Sequence, residues 1–191
     1  MDTITIFWMQ ILTSVFVFGI VAAWYVWPSL TKLSRNSALV PLLFVQVPRY
    51  VGMTLFIPYM VDPKLPREFI SNAAYGDLLE AALAFASIFA LRGNWRAAVP
   101  LVWVANTWGF IDLLNGLRGV LQLNVPSFNL GAFWYIYTFY APLVIVSHFD
   151  DLLNFDQAQV LGEIRVSDSV GDSQLRWEEP EGRQAEVLRQ A

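Results

Sequence analysis

The sequence predicts an all-α fold: a polytopic transmembrane bundle of five helices with a short acidic tail. Three observations predict it. The 191 residues are 56% hydrophobic and only 15% charged, where a soluble domain is about 25% charged. The apolar residues gather into five stretches, at about 5–29, 38–61, 73–91, 97–115 and 131–148. Each approaches the ~20 residues a helix needs to cross a hydrocarbon core of about 30 Å. Runs such as "LLEAALAFASIFAL" favour helix, and the every-second-residue alternation of an outer-membrane barrel is absent. Backbone polar groups find no water in lipid, so each span must satisfy its own hydrogen bonds as a helix.

The first span, 5–29, lacks a positive leader region and is too long for a signal-peptide core, so it reads as a retained helix. The first basic residues, Lys32 and Arg35, follow it. Basic loops stay cytoplasmic, which places the N-terminus outside and, after five spans, the C-terminus inside. The second span, 38–61, carries "VPRY" at its centre. The loop "DPKLPRE" has two prolines and should be irregular. The third span, 73–91, has small residues on two faces, Ala73, Gly76, Ala84 and Ser87 on one and Ala82, Ala86 and Ala90 on the other. Such spacing lets helices approach closely in lipid, so this helix should be central. The short turn "RGNW" makes it a hairpin with the fourth span, 97–115. The stretch 116–130 reads as a long, half-apolar loop on the outer side, before the fifth span at 131–148. Trp8, Tyr59, Tyr75, Trp134 and Tyr135 fall at the outer interface and Trp24, Tyr25, Trp27 and Trp95 at the inner one. Residues 1–148 thus form the membrane domain. Residues 149–191, with ten acids and four arginines, form an acidic tail expected inside and partly disordered, with a short surface helix at its start and a weak hairpin pattern beyond.

Few polar residues lie within the spans: Gln10, Gln46, Arg49, Asp77, Glu80, Asn106, Asp112 and Asn115. Helix direction alternates, so each takes a depth at about 1.5 Å per residue. Arg49 and Asn106 fall near mid-membrane, Glu80 slightly outward, and Asp77, Asp112 and Asn115 nearer the outer surface. A guanidinium at mid-bilayer costs about 2.5–3.5 kcal/mol on insertion scales, so it should pair or face water. Depth alone pairs Arg49 with Glu80, with Asp77 or Asp112 as a second partner. Simpler structural roles stand beside this. A polar group near Pro48 could repair the carbonyl of Phe44, Asp77 could favour the helix dipole, and Asp112 could pair with Arg118 or Arg67. On span four, Trp108, Asp112 and Asn115 share one face by helical spacing, and Trp103, Asn106, Thr107 and Phe110 another.

Much chemistry is excluded. No cysteine means no thiolate catalysis, disulfide or cysteine-bound metal within the chain. The single histidine, His148, cannot form a bis-histidine haem site and reads as a polar anchor at a helix end. No lysine lies within a span, which removes a retinal Schiff base, and no P-loop, dinucleotide, HExxH or GxSxG pattern occurs. No cofactor and no metal site is expected, and no nucleic-acid partner.

The motifs "PRYVG", "AAYGDL", "NTWGFIDLL" and "APLVIVSH", in that order, resemble a family of small uncharacterised bacterial multi-span membrane proteins. The likeness spans about residues 45–150 and singles out Arg49, Gly52, Gly76, Asp77, Asn106, Gly109, Asp112, Pro142 and His148. It implies a bacterial inner membrane and no particular reaction. The expected site is therefore a buried polar cluster of Arg49, Asp77, Glu80, Asn106, Asp112 and Asn115, with His148, Gln46 and Trp108 beside it. Three functions fit it. One is binding or moving a small polar or amphiphilic ligand. The others are a membrane-embedded enzyme acting on a lipid or isoprenoid, and a scaffold or assembly partner.

Overall fold

The computed structural model describes residues 1–149; the expected tail helix and hairpin lie outside the described residues. Within them the chain is helical throughout, with no strand. Helix α1 runs Thr3–Leu30 with a π-helical turn at Ala22–Val26. Helix α2 is Arg35–Phe56, α-helical to Gln46 and 3₁₀ from Val47. Helices α3 (Arg67–Arg92), α4 (Ala98–Leu123) and α5 (133–149) follow. Three of these, α1, α2 and α3, are long and apolar enough to cross a membrane.

The helix ends are set by local chemistry more than by apolarity. Asp2 caps α1 by accepting the Thr5 N–H at 2.7 Å, which holds its carboxyl below the usual range, and Ser34 caps α2 through Ser37. Helix α2 stops at Phe56, short of the expected 61, because Pro58 follows and Tyr59 takes a left-handed backbone (φ 69°). Helix α3 begins six residues earlier than expected. Pro66 pre-sets the entry, and Arg67 and Glu68 lie in the first turn, where charge is tolerated at the rim. Asp77 is therefore well beyond the first turn, and the helix-dipole reading of it does not apply.

The largest correction is at 116–130. Helix α4 continues to Leu123 and ends at Asn124 in the left-handed conformation (φ 49°). Gly116 and Gly119 do not break it. Instead the bare Cα of Gly119 receives the ring of Phe69, whose Cε2 would stand 2.6 Å from a Cβ there. The true connection, 124–132, lies against the 57–66 loop: the Asp62 N–H donates to Asn129 O at 2.9 Å, and the Met60 carbonyl approaches Gly131 (φ 51°). Beneath these loops Phe7, Leu55, Leu65, Ala74, Val120, Val125, Leu130 and Phe133 form one apolar core.

Helix α3 is packed against both α2 and α4. Half of its apolar window is buried, compared with 6% for α1, so α3 is the centre and α1 the rim. One of its two small faces does most of this: Gly76, Ala84 and Ser87 are buried, whereas on the other Ala82 and Ala86 point outward and Ala90 is buried. Helix α1 leans on α5, with Phe7 and Phe18 edge-on to Trp134 and Phe139, and the Trp134 indole donating to Gln10 at 2.6 Å.

Candidate functional site

Pro48 shapes the site. It has no N–H to continue an α-helix, and from Val47 the chain winds as a 3₁₀ helix for ten residues. That is long for a form usually seen in runs of three or four. At three residues per turn, residues three apart stack in a row, and Gln46, Arg49, Gly52 and Leu55 are all buried. On an α-helix the same four would wind around half the circumference. The vacant acceptor is also not the one expected. In a 3₁₀ turn Pro48 leaves the carbonyl of Val45 without its donor, and the Tyr140 hydroxyl of α5 supplies one at 2.8 Å.

Arg49 sits on this ridge with 3% of its surface exposed. Its Nε donates to Asp77 Oδ1 at 2.8 Å, its Nη2 forms an ion pair with Asp112 Oδ2, and its Nη1 reaches Gly109 O at 3.4 Å. The expected pair with Glu80 is not made. Glu80 is one turn further along α3 and fully buried, and neither of its oxygens has a hydrogen-bond partner among the described residues. Depth alone could not separate the three carboxylates, because it fixes level and leaves azimuth open. Nor does Asp112 turn to Arg118 or Arg67.

Glycines give each carboxylate its place. A Cβ on Gly52 would collide with Asp77, one on Gly76 with Asp112, and one on Gly109 with Glu80. Each acid is thus set into a notch of the neighbouring helix, which explains why glycine stands at 52, 76 and 109. Asn106, Gly109 and Asp112 form the inward stripe of α4, so the two faces expected for that helix are divided differently. Trp108 is 39% exposed, with its indole donating to Gly76 O at 3.4 Å, and Asn115 is exposed.

One turn below Arg49 lies a second polar layer. His148 is 1% exposed, and its Nδ1 is 3.0 Å from Asn106 Oδ1. It is a core residue, and the helix-end anchor role expected of it is corrected. Asn106 donates its amide to Val102 O at 3.3 Å, and Gln46 donates to Ser147 Oγ at 2.6 Å. Ser147 and Tyr140 are the members that sequence reasoning missed. Both lie on α5, three residues or fewer from a π-turn or a buried histidine, and neither is unusual by type.

A cleft of about 610 Å³, lined by residues of all five helices, takes in Arg49, Asp77 and Asp112 of the ion cluster together with Glu68 and Arg118. Its walls are mainly apolar, from Phe7, Ile11, Phe69, Phe133 and Val144, with Tyr137 and Tyr140 from the π-helical segment Ile136–Tyr140 and Asn72 and Asn115 nearer the loops. Of the three charged groups of the cluster, the side chains of Asp77 and Asp112 are 24% and 13% exposed and that of Arg49 only 4%. Among the described residues no cluster of histidine and acidic side chains has a metal-binding arrangement.

Residues 6–153 match a family described as "Domain of unknown function (DUF8737)". No curated protein and no solved structure matches the chain.

Proposed function

The chain belongs to this family of unknown function, and from the site it carries we propose that it is a five-span protein of the bacterial inner membrane that binds an amphiphilic small molecule in the large cleft. In this reading α4 and α5 also span, the N-terminus is outside, and the bilayer covers the exposed apolar rim of α1, including Leu12 and Phe16. The apolar tail lies along Phe133, Val144 and Phe69, and the polar head meets the ion cluster. The observation that carries this reading is a large, mainly apolar cleft whose lining includes the buried ion cluster of Arg49, Asp77 and Asp112, the arrangement expected of a ligand site.

The cluster also selects the head group. Arg49 has already given hydrogen bonds to Asp77, Asp112 and Gly109, and the triad of one cation and two carboxylates is net negative. Of the three, the carboxylates are the more exposed, at 24% and 13% against 4% for the guanidinium. The preferred head is therefore a hydrogen-bond donor, ammonium or hydroxyl, and not an anion. Helix π-turns often mark functional sites, and the one at Ile136–Tyr140 turns Tyr137 and Tyr140 into this wall.

The test compares alkylamine, alkanol and alkanoate of equal chain length for their effect on the melting temperature of the purified protein in mild detergent. The amine and the alcohol should stabilise, the carboxylate should not, and Ala141→Trp, which fills the cleft beside the charges, should remove the effect. Equal stabilisation by all three, unaltered in Ala141→Trp, would show that the cleft does not recognise a head group.

A further inference from the structure

The layer below Arg49 holds a group of buried acceptors with too few donors. Both oxygens of Glu80, Nε2 of His148 and Oε1 of Gln46 are buried without a hydrogen-bond partner among the described residues. Glu80 is 0% exposed and His148 1%. The two meet over Gly109: Glu80 Cδ and His148 Cε1 are each 2.7 Å from where a Gly109 Cβ would stand. The tautomer of His148 follows from its neighbour. Asn106 spends its amide N–H on Val102 O, so its Oδ1 faces the ring as an acceptor and Nδ1 carries the hydrogen. In the neutral ring Nε2 is then a bare lone pair.

The charges around the layer cannot supply the missing donor. From α2, Arg49 is engaged by Asp77 of α3 and Asp112 of α4. From α5, the Tyr140 hydroxyl donates to Val45 O. An ionised Glu80 would add a second uncompensated negative charge to a triad already net negative, and an isolated buried carboxylate is strongly disfavoured. A single proton resolves both deficits. On a carboxyl oxygen it removes the charge and creates the donor that Nε2 lacks.

We propose that Glu80 and His148 form a buried site for one exchangeable proton, carried on the Glu80 carboxyl and donated towards His148 Nε2 across the bare Cα of Gly109 through one bridging water. A small cavity of about 140 Å³, lined by Asn106, Thr107, Phe110, Ile111 and His148, lies against the ring. Gly109 joins the two levels, because its carbonyl accepts from Arg49 while its missing side chain makes room for Glu80 and His148. The site stands whether or not the cleft binds an amphiphile.

His148 is the only histidine in the chain, so ¹⁵N-histidine labelling of the full-length protein in lipid nanodiscs reports on one ring. At neutral pH the expected spectrum is a neutral ring protonated at Nδ1, with Nε2 accepting a hydrogen bond. Infrared difference spectra in H₂O and D₂O should show a protonated carboxyl band that shifts on deuteration and is missing in Glu80→Gln. That variant should fold, since the amide mimics the protonated acid, and should leave Nε2 hydrogen-bonded. A doubly protonated, cationic His148, or an absent carboxyl band in wild type, would overturn the proposal. So would a melting temperature raised by sodium but not by choline at equal ionic strength together with no such band, which would make the layer a cation site.

Discussion

Arg49 and Glu80 lie one helical turn apart in the same bundle, yet their surroundings differ in kind. Arg49 is met by two carboxylates and a carbonyl from two other helices, so every charge at its level has a counter-charge within reach. Glu80 is fully buried, and neither of its oxygens has a hydrogen-bond partner among the described residues. The upper level is an ion cluster held by geometry and open to a cleft, whereas the lower level is closed and short of one hydrogen. A carboxylate therefore does different work at the two levels. A glycine faces each of the three acids, so what decides it is whether a donor from another helix also reaches the carboxylate.

The largest effect should come from breaking the upper level. Arg49→Leu leaves Asp77 and Asp112 buried without their cation, and removing one side of a buried ion pair costs about 3–5 kcal/mol. Melting in detergent should fall sharply, or the protein should fail to accumulate in the membrane. Because Glu80 is not the partner, Arg49→Leu/Glu80→Leu should recover nothing, whereas Arg49→Leu/Asp77→Leu/Asp112→Leu should recover much of the loss. Rescue by the Glu80 change alone would restore the pairing that depth suggests and undo the contrast between levels.

Glycine substitutions probe the notches at a smaller scale. Gly109→Ala places a methyl 2.7 Å from both Glu80 Cδ and His148 Cε1 and should cost about 1–3 kcal/mol as overpacking. Gly116 lies on the same helix with nothing within 4 Å of its Cβ position. There the alanine should be stabilising by about 0.5–1 kcal/mol through helix propensity. Thermal melts of the two variants should therefore move in opposite directions. Movement in the same direction would mean that the Gly109 notch is not tight.

How much of this was legible follows from the physics of each feature. The helices were, because each is marked by a long apolar stretch. Arg49, Asp77, Glu80 and Asp112 stand out as charges among apolar neighbours, whereas Ser147 and Tyr140 do not. Azimuth was not legible. Arg49, Asp77, Glu80 and Asp112 share a depth range, and only the switch to a 3₁₀ ridge after Pro48 decides which of them meet. A proline at 48 signals a disturbed helix, but whether it kinks, unwinds or tightens depends on Tyr140 reaching Val45, ninety-five residues away. The end of α4 was misread for a similar reason. Gly116 and Gly119 have the composition of a turn, and the ring of Phe69 that occupies one of them is on another helix.

Tyr140→Phe isolates that long-range contact. It removes the donor to the Val45 carbonyl and keeps the ring, so the buried acceptor loses its partner at a cost of about 1–3 kcal/mol. Hydrogen exchange should rise in residues 45–50 while α3 stays protected. Unchanged exchange there would mean the 3₁₀ segment holds without the tyrosine.

The smallest expected effect is the one that best separates the levels. A carboxylate-to-amide change can be made at either, with almost no change in shape. At the upper level Asp112→Asn turns a charge-assisted bond with Arg49 into a neutral one, and bonds to charged groups are worth about 1.5–3 kcal/mol. At the lower level there is no bond to lose. If Glu80 already carries a proton, Glu80→Gln exchanges one neutral donor for another, and its stability should lie within about 0.5 kcal/mol of wild type, the usual range for a change away from any special feature. Reversible unfolding of both variants under one set of conditions measures the difference directly. Equal losses would mean that Glu80 is ionised and held by a charge, and the two levels would then be one extended ion network. A loss confined to Asp112→Asn keeps them apart: a paired cluster facing the cleft, and beneath it a neutral acid whose proton is turned towards His148.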